Sequence, residues 1–188
     1  MLDRADLTGA NLIGANLRYG NLRGVDLRFA NLMEANLDGA DLHGTDARHA
    51  NLSYAKFVHA KLINAKLVHA NLNSADLTDA DLSDADLSGV DLSFANFSRA
   101  NLRGANLHDA TIGLSTFTNS DLSKTKGLDF IKHHGPCTIG IDTIYKSKGK
   151  IPDTFLRGCG VPDGFITQMS SLIDAEGGIQ FHSCFISY

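Results

Sequence analysis

An apolar residue returns at every fifth position from Leu2 to Leu122 without a change of phase. A small residue, mostly alanine, stands two positions before it, and Asp or Asn usually stands one position before it. Neither an α-helix nor a long β-strand has a five-residue hydrophobic period. So regular a repeat predicts a solenoid, in which one small unit is stacked on copies of itself.

Within one unit, the central apolar residue and the small residue two before it can point to the same side, as alternate residues of a strand do. The other three positions then point outward. We therefore expect each unit to form a short strand and a corner, with the central residues as the core of a tube. The predicted core includes Leu27, Ala47, Leu67, Phe57, Phe97 and Phe117.

Units such as Ala-Asp-Leu-Thr-Gly at residues 5–9 and Ala-Asn-Leu-His-Asp at residues 105–109 resemble the pentapeptide-repeat family. The resemblance implies an all-β fold over residues 1–125, a right-handed quadrilateral β-helix with four units, or twenty residues, in each coil. Phe57, Phe97 and Phe117 would then lie on one face of the tube.

Twenty-residue stacking would also bring opposite charges together on neighbouring coils, as cross-strand pairs do. Lysines replace the usual Asp or Asn at three consecutive units of the third coil. We expect them to form vertical charge ladders that fix the register between coils. The predicted ladders are Asp41–Lys61–Asp81, Asp46–Lys66–Asp86 and Lys56–Asp76.

The formal net charge of −4 is too small to indicate a nucleic-acid partner. Contiguous exposed apolar residues instead favour a protein partner. Outward positions on one face of the tube carry such residues and form the candidate partner surface: Ile13, Met33, Tyr54, Phe94 and Leu114. The open coil at the N-terminus could also pair with a second copy, giving a homodimer, or it could reflect a shortened chain.

No apolar run approaches the length of a membrane span, and residues 1–4 are already in register with the repeat, so we expect no membrane association and no signal peptide. Cys137, Cys159 and Cys184 are odd in number and far apart in sequence, which favours reduced thiols in a cytoplasmic protein. Cys159, between two glycines, is interpreted as structural.

Two groups of histidines raise the possibility of metal binding. His49 and His69 would lie one above the other, and His133 and His134 precede Cys137. A structural zinc site needs four ligands, and the sequence supplies no complete set in either place. We therefore predict no metal, no cofactor and no catalytic residue.

The five-residue pattern stops after residue 125, and residues 126–180 predict a small mixed α/β annex that caps the last coil. We expect a short strand at residues 138–141, a helix within residues 151–158 and a second helix from about residue 161 to residue 173. The last residues, Phe-Ile-Ser-Tyr at 185–188, resemble the first strand of a Toll/interleukin-1 receptor (TIR) domain. Residues 138–173 also resemble the connector that precedes such domains in bacterial pentapeptide-repeat proteins, so residues 181–188 would be a truncated TIR-like strand.

Three classes of function follow. The first is a non-enzymatic interaction scaffold, the sensor or assembly part of a longer bacterial TIR-domain signalling or defence protein. The second is a DNA-mimicking topoisomerase-binding protein like the quinolone-resistance pentapeptide proteins, which would need an unbroken acidic face. The third is an enzyme, for which the sequence shows no nucleophile–base pair and no phosphate-binding loop. A metal-binding surface protein is a further alternative to the scaffold.

Overall fold

The computed structural model describes the backbone of residues 4–174 and the side chains of residues 4–169. Residues twenty apart lie beside each other and form single parallel β-bridges, from Asp6–Asp26 to Asn106–Lys126. Each bridge is followed after one residue by a two-residue turn, so four short strands and four corners make one coil. The chain is therefore a four-sided tube of stacked coils, with the twenty-residue repeat that the resemblance implies.

Each unit places its backbone N–H groups in a regular set of hydrogen bonds. The N–H of Leu7 donates to the carbonyl of Asp26 in the next coil (2.8 Å), and the N–H of Gly9 donates to the carbonyl of Arg28 (2.8 Å). The N–H of Ala10 closes the corner on the carbonyl of Leu7 (3.0 Å). Backbone groups that would be costly to bury unpaired are thus satisfied within and between the coils.

The frequent Asp or Asn before the central residue has a specific role at the corner. Its Oδ1 accepts a hydrogen bond from the N–H two residues further on, as Asp6 does from Thr8 (3.0 Å) and Asp76 from Thr78 (3.1 Å). This is the side-chain-to-backbone contact that Asx turns use. The contact explains why a short side chain with an oxygen acceptor recurs at this outward position.

The core is a column of central residues on each of the four sides. Phe57, Phe97 and Phe117 are fully buried, and the last two rings stack with centroids 5.0 Å apart and an angle of 3° between their planes. Leu27, Leu67 and the much smaller Ala47 are also buried. The small inward positions are buried even where the residue is polar. Thr45, for example, is fully buried, and its hydroxyl donates a hydrogen bond to the carbonyl of Leu22 in the preceding coil (2.7 Å).

Parallel pairing continues past residue 125, with longer connections than in the repeat. Strand β1 (Thr111–Ile112) pairs with β3 (Lys132–His133), and β2 (Thr116–Phe117) pairs with β4 (Thr138–Ile139). A 3-10 helix at Leu128–Phe130 precedes β3. Three helices follow: α1 (Ile141–Lys146), α2 (Asp153–Gly158) and α3 (Asp163–Asp174).

Helix α1 covers the end of the tube with two hydroxyl side chains. Ser147, directly after α1, accepts a hydrogen bond from the N–H of Leu122 (3.0 Å), and Thr143 accepts one from the N–H of Ser120 (3.2 Å). Thr143 and Ser147 are completely buried. The last coil would otherwise expose these strand-edge donors, which an isolated sheet leaves open to unwanted pairing.

Helices α2 and α3 lie close to their predicted positions, but the strand predicted at residues 138–141 ends at Ile139. Residues 141–146 form α1, which the sequence analysis did not predict. The proposed TIR-like strand at residues 181–188 lies outside the described residues.

Candidate functional site

The last position of each unit lies at a corner of the tube, where the backbone adopts a left-handed conformation. At Tyr54, Phe94 and Leu114, φ is 59°, 62° and 55°. Bulky residues rarely adopt this conformation, since it brings Cβ close to the following carbonyl oxygen. Many units place glycine there, as at Gly14 in the same column. Large apolar side chains at these corners therefore do not serve the stability of the turn.

These three side chains are also exposed. Tyr54, Phe94 and Leu114 present 56%, 55% and 58% of their surface to solvent. They lie in one column, with Ser74 between Tyr54 and Phe94. We call Tyr54, Phe94 and Leu114 the apolar column. Ile13, in the neighbouring column, is 47% exposed, whereas Met33 is half-buried and contributes less surface than predicted.

Two further exposed aromatic residues of the repeat lie outside the predicted surface. Tyr19 is 74% exposed and Phe29 is 62% exposed, both at corner positions. Phe29 stacks on His49 (centroids 5.1 Å apart, planes at 4°), and His49 stacks on His69 (5.4 Å, 28°). The signal that could have found both residues is their place in the unit, which is the same as that of the apolar column.

The stacking also bears on the metal hypothesis for His49 and His69. The lone pair of an imidazole nitrogen lies in the plane of the ring. Two rings stacked face to face therefore direct their lone pairs past each other and not towards a common ion. The geometry supports an aromatic stack at this pair and gives no support to a metal site.

The lysines of the third coil are in the predicted register but do not form the predicted ion pairs. Backbone bridges place Lys61 between Asp41 and Asp81. Among the residues whose side chains are described, the carboxylate of Asp41 pairs instead with Arg23 (3.2 Å). Lys61 remains exposed. The other predicted ladders are likewise in register without ion pairs between their members: Asp46–Lys66–Asp86 and Lys56–Asp76.

These lysines also remove the acceptor that Asp or Asn supplies at the corner. The N–H of Val58 donates instead to Oδ1 of Asp38 in the preceding coil (3.1 Å). The N–H groups of Ile63 and Val68 have no acceptor within the described part of the chain. Two corners thus lack the side-chain acceptor of the other units, and the lysines attract Asp41 and Asp46 only at a distance, without close ion pairs.

Arginines form the close ion pairs on the adjoining side of the tube. Arg28 makes a bidentate contact with Asp26 (shortest distance 2.6 Å), and Arg48 makes the same contact with Asp46 (2.7 Å). The hydrogen bonds from Arg28 lower the pKa of Asp26 to about 2, and those from Arg48 lower the pKa of Asp46. The pairs lie beside the Phe29–His49–His69 stack, and in each pair the arginine compensates the negative charge of the aspartate.

At the C-terminal end of the tube, the fold brings together His133, Cys137 and Cys159, although Cys159 is well separated from the other two in sequence. One ring nitrogen of His133 and the sulfur atoms of Cys137 and Cys159 all lie within 4.8 Å of one another. Cys159, which the sequence indicated to be structural, therefore has two potential metal ligands as neighbours. The sequence had indicated His133 and Cys137 as a possible metal-binding pair, but it gave no signal for Cys159, which directly follows α2.

The family assignment comes from the whole repeat. The family model for Pentapeptide repeats matches residues 1–28, 30–67, 55–93 and 92–126, which together make up well over half of the chain. The chain belongs to the pentapeptide-repeat family. Membership implies that the four-sided tube is a right-handed quadrilateral β-helix, as the resemblance predicted.

Solved structures of other members are similar to parts of this pentapeptide-repeat protein. Rfr23 from the cyanobacterium Cyanothece 51142 is 28% identical, with 53% of this chain and 85% of Rfr23 covered and a TM-score of 0.44. A protein from the Arabidopsis thaliana thylakoid lumen is 28% identical over 66% of this chain and 86% of its own (TM-score 0.47).

HetL, a pentapeptide-repeat protein involved in heterocyst differentiation regulation in Nostoc sp. PCC 7120, is 34% identical over 62% of this chain (TM-score 0.32). The matched region spans 60% of HetL. The curated proteins give no match to the chain. Within residues 4–174, none of the helices has the length and apolar character needed to span a bilayer.

Proposed function

We propose that this pentapeptide-repeat protein is a non-enzymatic scaffold that binds another protein through the apolar column. The observation that carries the proposal is the exposure of three large apolar side chains, Tyr54, Phe94 and Leu114, in one column of the tube. Exposed aromatic and aliphatic anchors of this kind are typical of protein-binding surfaces.

The tube suits this role because its surface positions can vary without changing the core. The side chains of the apolar column stand on corners that backbone hydrogen bonds hold between coils, as from Tyr54 to the carbonyl of Asn73 (2.9 Å) and from Phe94 to the carbonyl of Gly113 (2.8 Å). Anchors fixed on such a frame lose little conformational entropy on binding.

These observations favour a partner that binds the exposed apolar residues over a topoisomerase that recognises an acidic, DNA-like surface. DNA mimicry needs a continuous acidic surface, and Lys56, Lys61 and Lys66 are exposed and interrupt three of the four columns in which Asp or Asn recurs. Their position in the middle of the tube would break an acidic stripe on each of those sides.

The test compares the intact coding region with a triple variant, Tyr54→Asn, Phe94→Asn and Leu114→Asn. Asn is chosen because it tolerates a positive φ. We expect the triple variant to lose proteins that the wild type captures from the native lysate. The purified partner should bind the variant at least about tenfold more weakly than the wild type, since one anchor commonly contributes about 1.4 kcal/mol or more.

The matched control changes three corner residues on the next side of the tube, His59→Asn, Asp79→Asn and Arg99→Asn. This control leaves net charge unchanged with His neutral and should retain the partner. Equal binding by the wild type and the apolar-column variant, with both folded by circular dichroism, would show that this surface is not the binding site.

Finer aspects of the proposal rest on narrower support. We propose that the chain is the assembly part of a cytoplasmic TIR-domain protein, for which the support is sequence resemblance alone. We also propose homodimer formation through the first coil, where Leu7, Leu12 and Leu17 are only half-buried although the central residues of later coils are buried. A monomeric mass by light scattering at high protein concentration would argue against the dimer.

We further propose that residues 126–180 act as a C-terminal cap. The support is the pair of hydroxyl contacts from α1 and the packing of the buried Phe155 of α2 against Phe117 (centroids 5.8 Å apart, planes at 78°). The cap would prevent the last coil from pairing with strands of other molecules.

A further inference from the structure

A cluster of three potential metal ligands lies where the C-terminal helices meet the tube. His133 belongs to β3, Cys137 precedes β4, and Cys159 directly follows α2. A ring nitrogen of His133 and both sulfur atoms lie within 4.8 Å of one another. The backbone holds the cysteines together, because the N–H of Cys137 donates to the carbonyl of Cys159 (3.0 Å).

The imidazole of His133 supplies a second, independent observation. Its Nδ1 atom is buried and has no hydrogen-bond partner. Nearly all buried polar atoms in native proteins have a partner, so an exception indicates a missing ion or ligand or a functional role. A ring nitrogen beside two sulfur atoms is the arrangement that a soft metal ion would satisfy.

Neighbouring residues hold this ring in place. Phe155 contacts it edge to face, with centroids 5.7 Å apart. On the other side, a Cβ added at Gly158 would clash with Cδ2 and Nε2 of the ring. Gly158 therefore leaves the space that the imidazole occupies, and the ring cannot easily turn away from the sulfur atoms.

Both thiols lose their protons when they coordinate Zn²⁺, so zinc binding releases protons and depends on pH.

A cavity of about 300 Å³ reaches both cysteines and is lined mainly by apolar residues, including Ile139, Ile144 and Val161. It offers a route for an ion and space for a water molecule as an additional ligand. Apolar surroundings limit competition from solvent and strengthen the attraction between thiolates and a cation.

We propose that His133, Cys137 and Cys159 bind one Zn²⁺ ion, with water as the fourth ligand, and that the ion fastens α2 to the end of the β-helix. Zinc takes such Cys and His ligands in tetrahedral geometry, with Zn–S distances of about 2.3 Å and hence S–S separations of about 3.8 Å. The donor atoms lie within 4.8 Å of one another and so must approach by up to about 1 Å to reach these distances.

The test uses the full chain, purified in reduced form, with Zn²⁺ alone as the probe. After dialysis against buffered zinc, elemental analysis should give one zinc per chain. Replacement by Co²⁺ should give the thiolate-to-cobalt charge-transfer absorption and the visible bands of a tetrahedral site. His133→Gln, Cys137→Ser and Cys159→Ser should each lower zinc affinity at least about tenfold, because each removes a ligand. Cys184→Ser is the matched control and should leave affinity unchanged.

A variant that fails to fold is recognised by circular dichroism, and His133→Gln then serves in place of a cysteine variant. Lowering the pH from 8 to 6 should weaken zinc binding, since the thiols must lose protons. Three outcomes would overturn the proposal. In the first, the reduced wild type binds no zinc, and in the second, the double variant Cys137→Ser/Cys159→Ser binds zinc as tightly as the wild type. The third is a Cys137–Cys159 disulfide found by mass spectrometry together with the absence of a cobalt spectrum from the reduced protein.

Discussion

Ala47→Leu should stabilise the tube, because Ala47 is a buried central position filled by a small residue. Leu27 and Leu67 occupy the same position in the coils before and after it. The coils have not moved together around the missing atoms. The N–H of Leu27 lies 2.7 Å from the carbonyl oxygen of Asp46, and the N–H of Ala47 lies 2.8 Å from that of Lys66, within the range of the other coils. The spacing between coils at Ala47 is therefore the same as at Leu27, and we expect position 47 to accept a leucine.

The expected gain follows from the atoms added. Leucine has three more carbon atoms than alanine, and burying each contributes about 0.8 kcal/mol, for a total of about 2.4 kcal/mol before any loss of side-chain entropy. The measured range for the reverse change, Leu→Ala in a core, is about 2–5 kcal/mol. We expect a net stabilisation of about 1–3 kcal/mol, which corresponds to a rise in Tm of roughly 3–9 °C for a chain of this size.

The assay is thermal and urea unfolding followed by circular dichroism. The matched control is Ala50→Leu, the same substitution three residues along in the same coil. Ala50 is also buried, but it occupies the small inward position next to the corner. A leucine there should overpack the core and lower stability by about 1–3 kcal/mol. If Ala47→Leu lowers Tm as Ala50→Leu does, the coil has no room at position 47 and the reasoning fails.

Three further predictions concern hydrogen bonds and charge. Lys61→Asn should stabilise by about 0.5–1.5 kcal/mol in urea unfolding, because it restores the acceptor for the unpaired N–H two residues on. Ser147→Ala should destabilise by about 1–3 kcal/mol in the same assay, because the N–H of Leu122 loses its partner in the cap. The Tm should fall as the pH decreases from about 4 towards 2. Arg28 lowers the pKa of Asp26 from 3.8 to about 2 in the folded protein, so Asp26 binds a proton more readily when the protein is unfolded. Arg28→Gln should reduce this decline in Tm.

Each of these has a control on the same tube. Lys61→Ala removes the charge without adding an acceptor, and a gain as large as that of Lys61→Asn would contradict the corner explanation. Ser123→Ala, near the cap but without a side-chain bond to it, should change stability little. For the acid titration, Arg103→Gln is the comparison, since Arg103 has no carboxylate partner among the described side chains. Identical pH profiles for the wild type and Arg28→Gln would refute the role of the Asp26 pair.

The repeat could be predicted from sequence because its period determines which residues face inward. Given the twenty-residue coil of the family, the register followed for nearly all units, as the bridge from Asp41 to Lys61 shows. The role of Asp and Asn at the corner could not be predicted from the period, because it depends on turn geometry. Without that geometry the lysines looked like partners for aspartates, whereas Asp41 bonds to the longer and planar Arg23.

The C-terminal segment was harder to predict since its structure depends on what it packs against. Helix α1 reads Ile-Asp-Thr-Ile-Tyr-Lys, a short stretch rich in β-branched residues that favour strands. It is a helix because Thr143 and Ser147 meet unpaired donors of the last coil. Cys159 joins His133 and Cys137 through the same docking, so the sequence indicated only the first two members of the cluster.

The most direct test of the binding proposal is site-specific photo-crosslinking at the apolar column. Phe94 is replaced by p-benzoylphenylalanine, an aromatic residue of related shape, in the intact coding region expressed in its native cell. Asn64, a corner residue on another side of the tube, receives the same replacement as a control. We predict that irradiation yields a discrete crosslinked protein from position 94 and none from position 64. The absence of a crosslink at position 94, or the same product from both positions, would contradict the claim that the apolar column binds a protein partner.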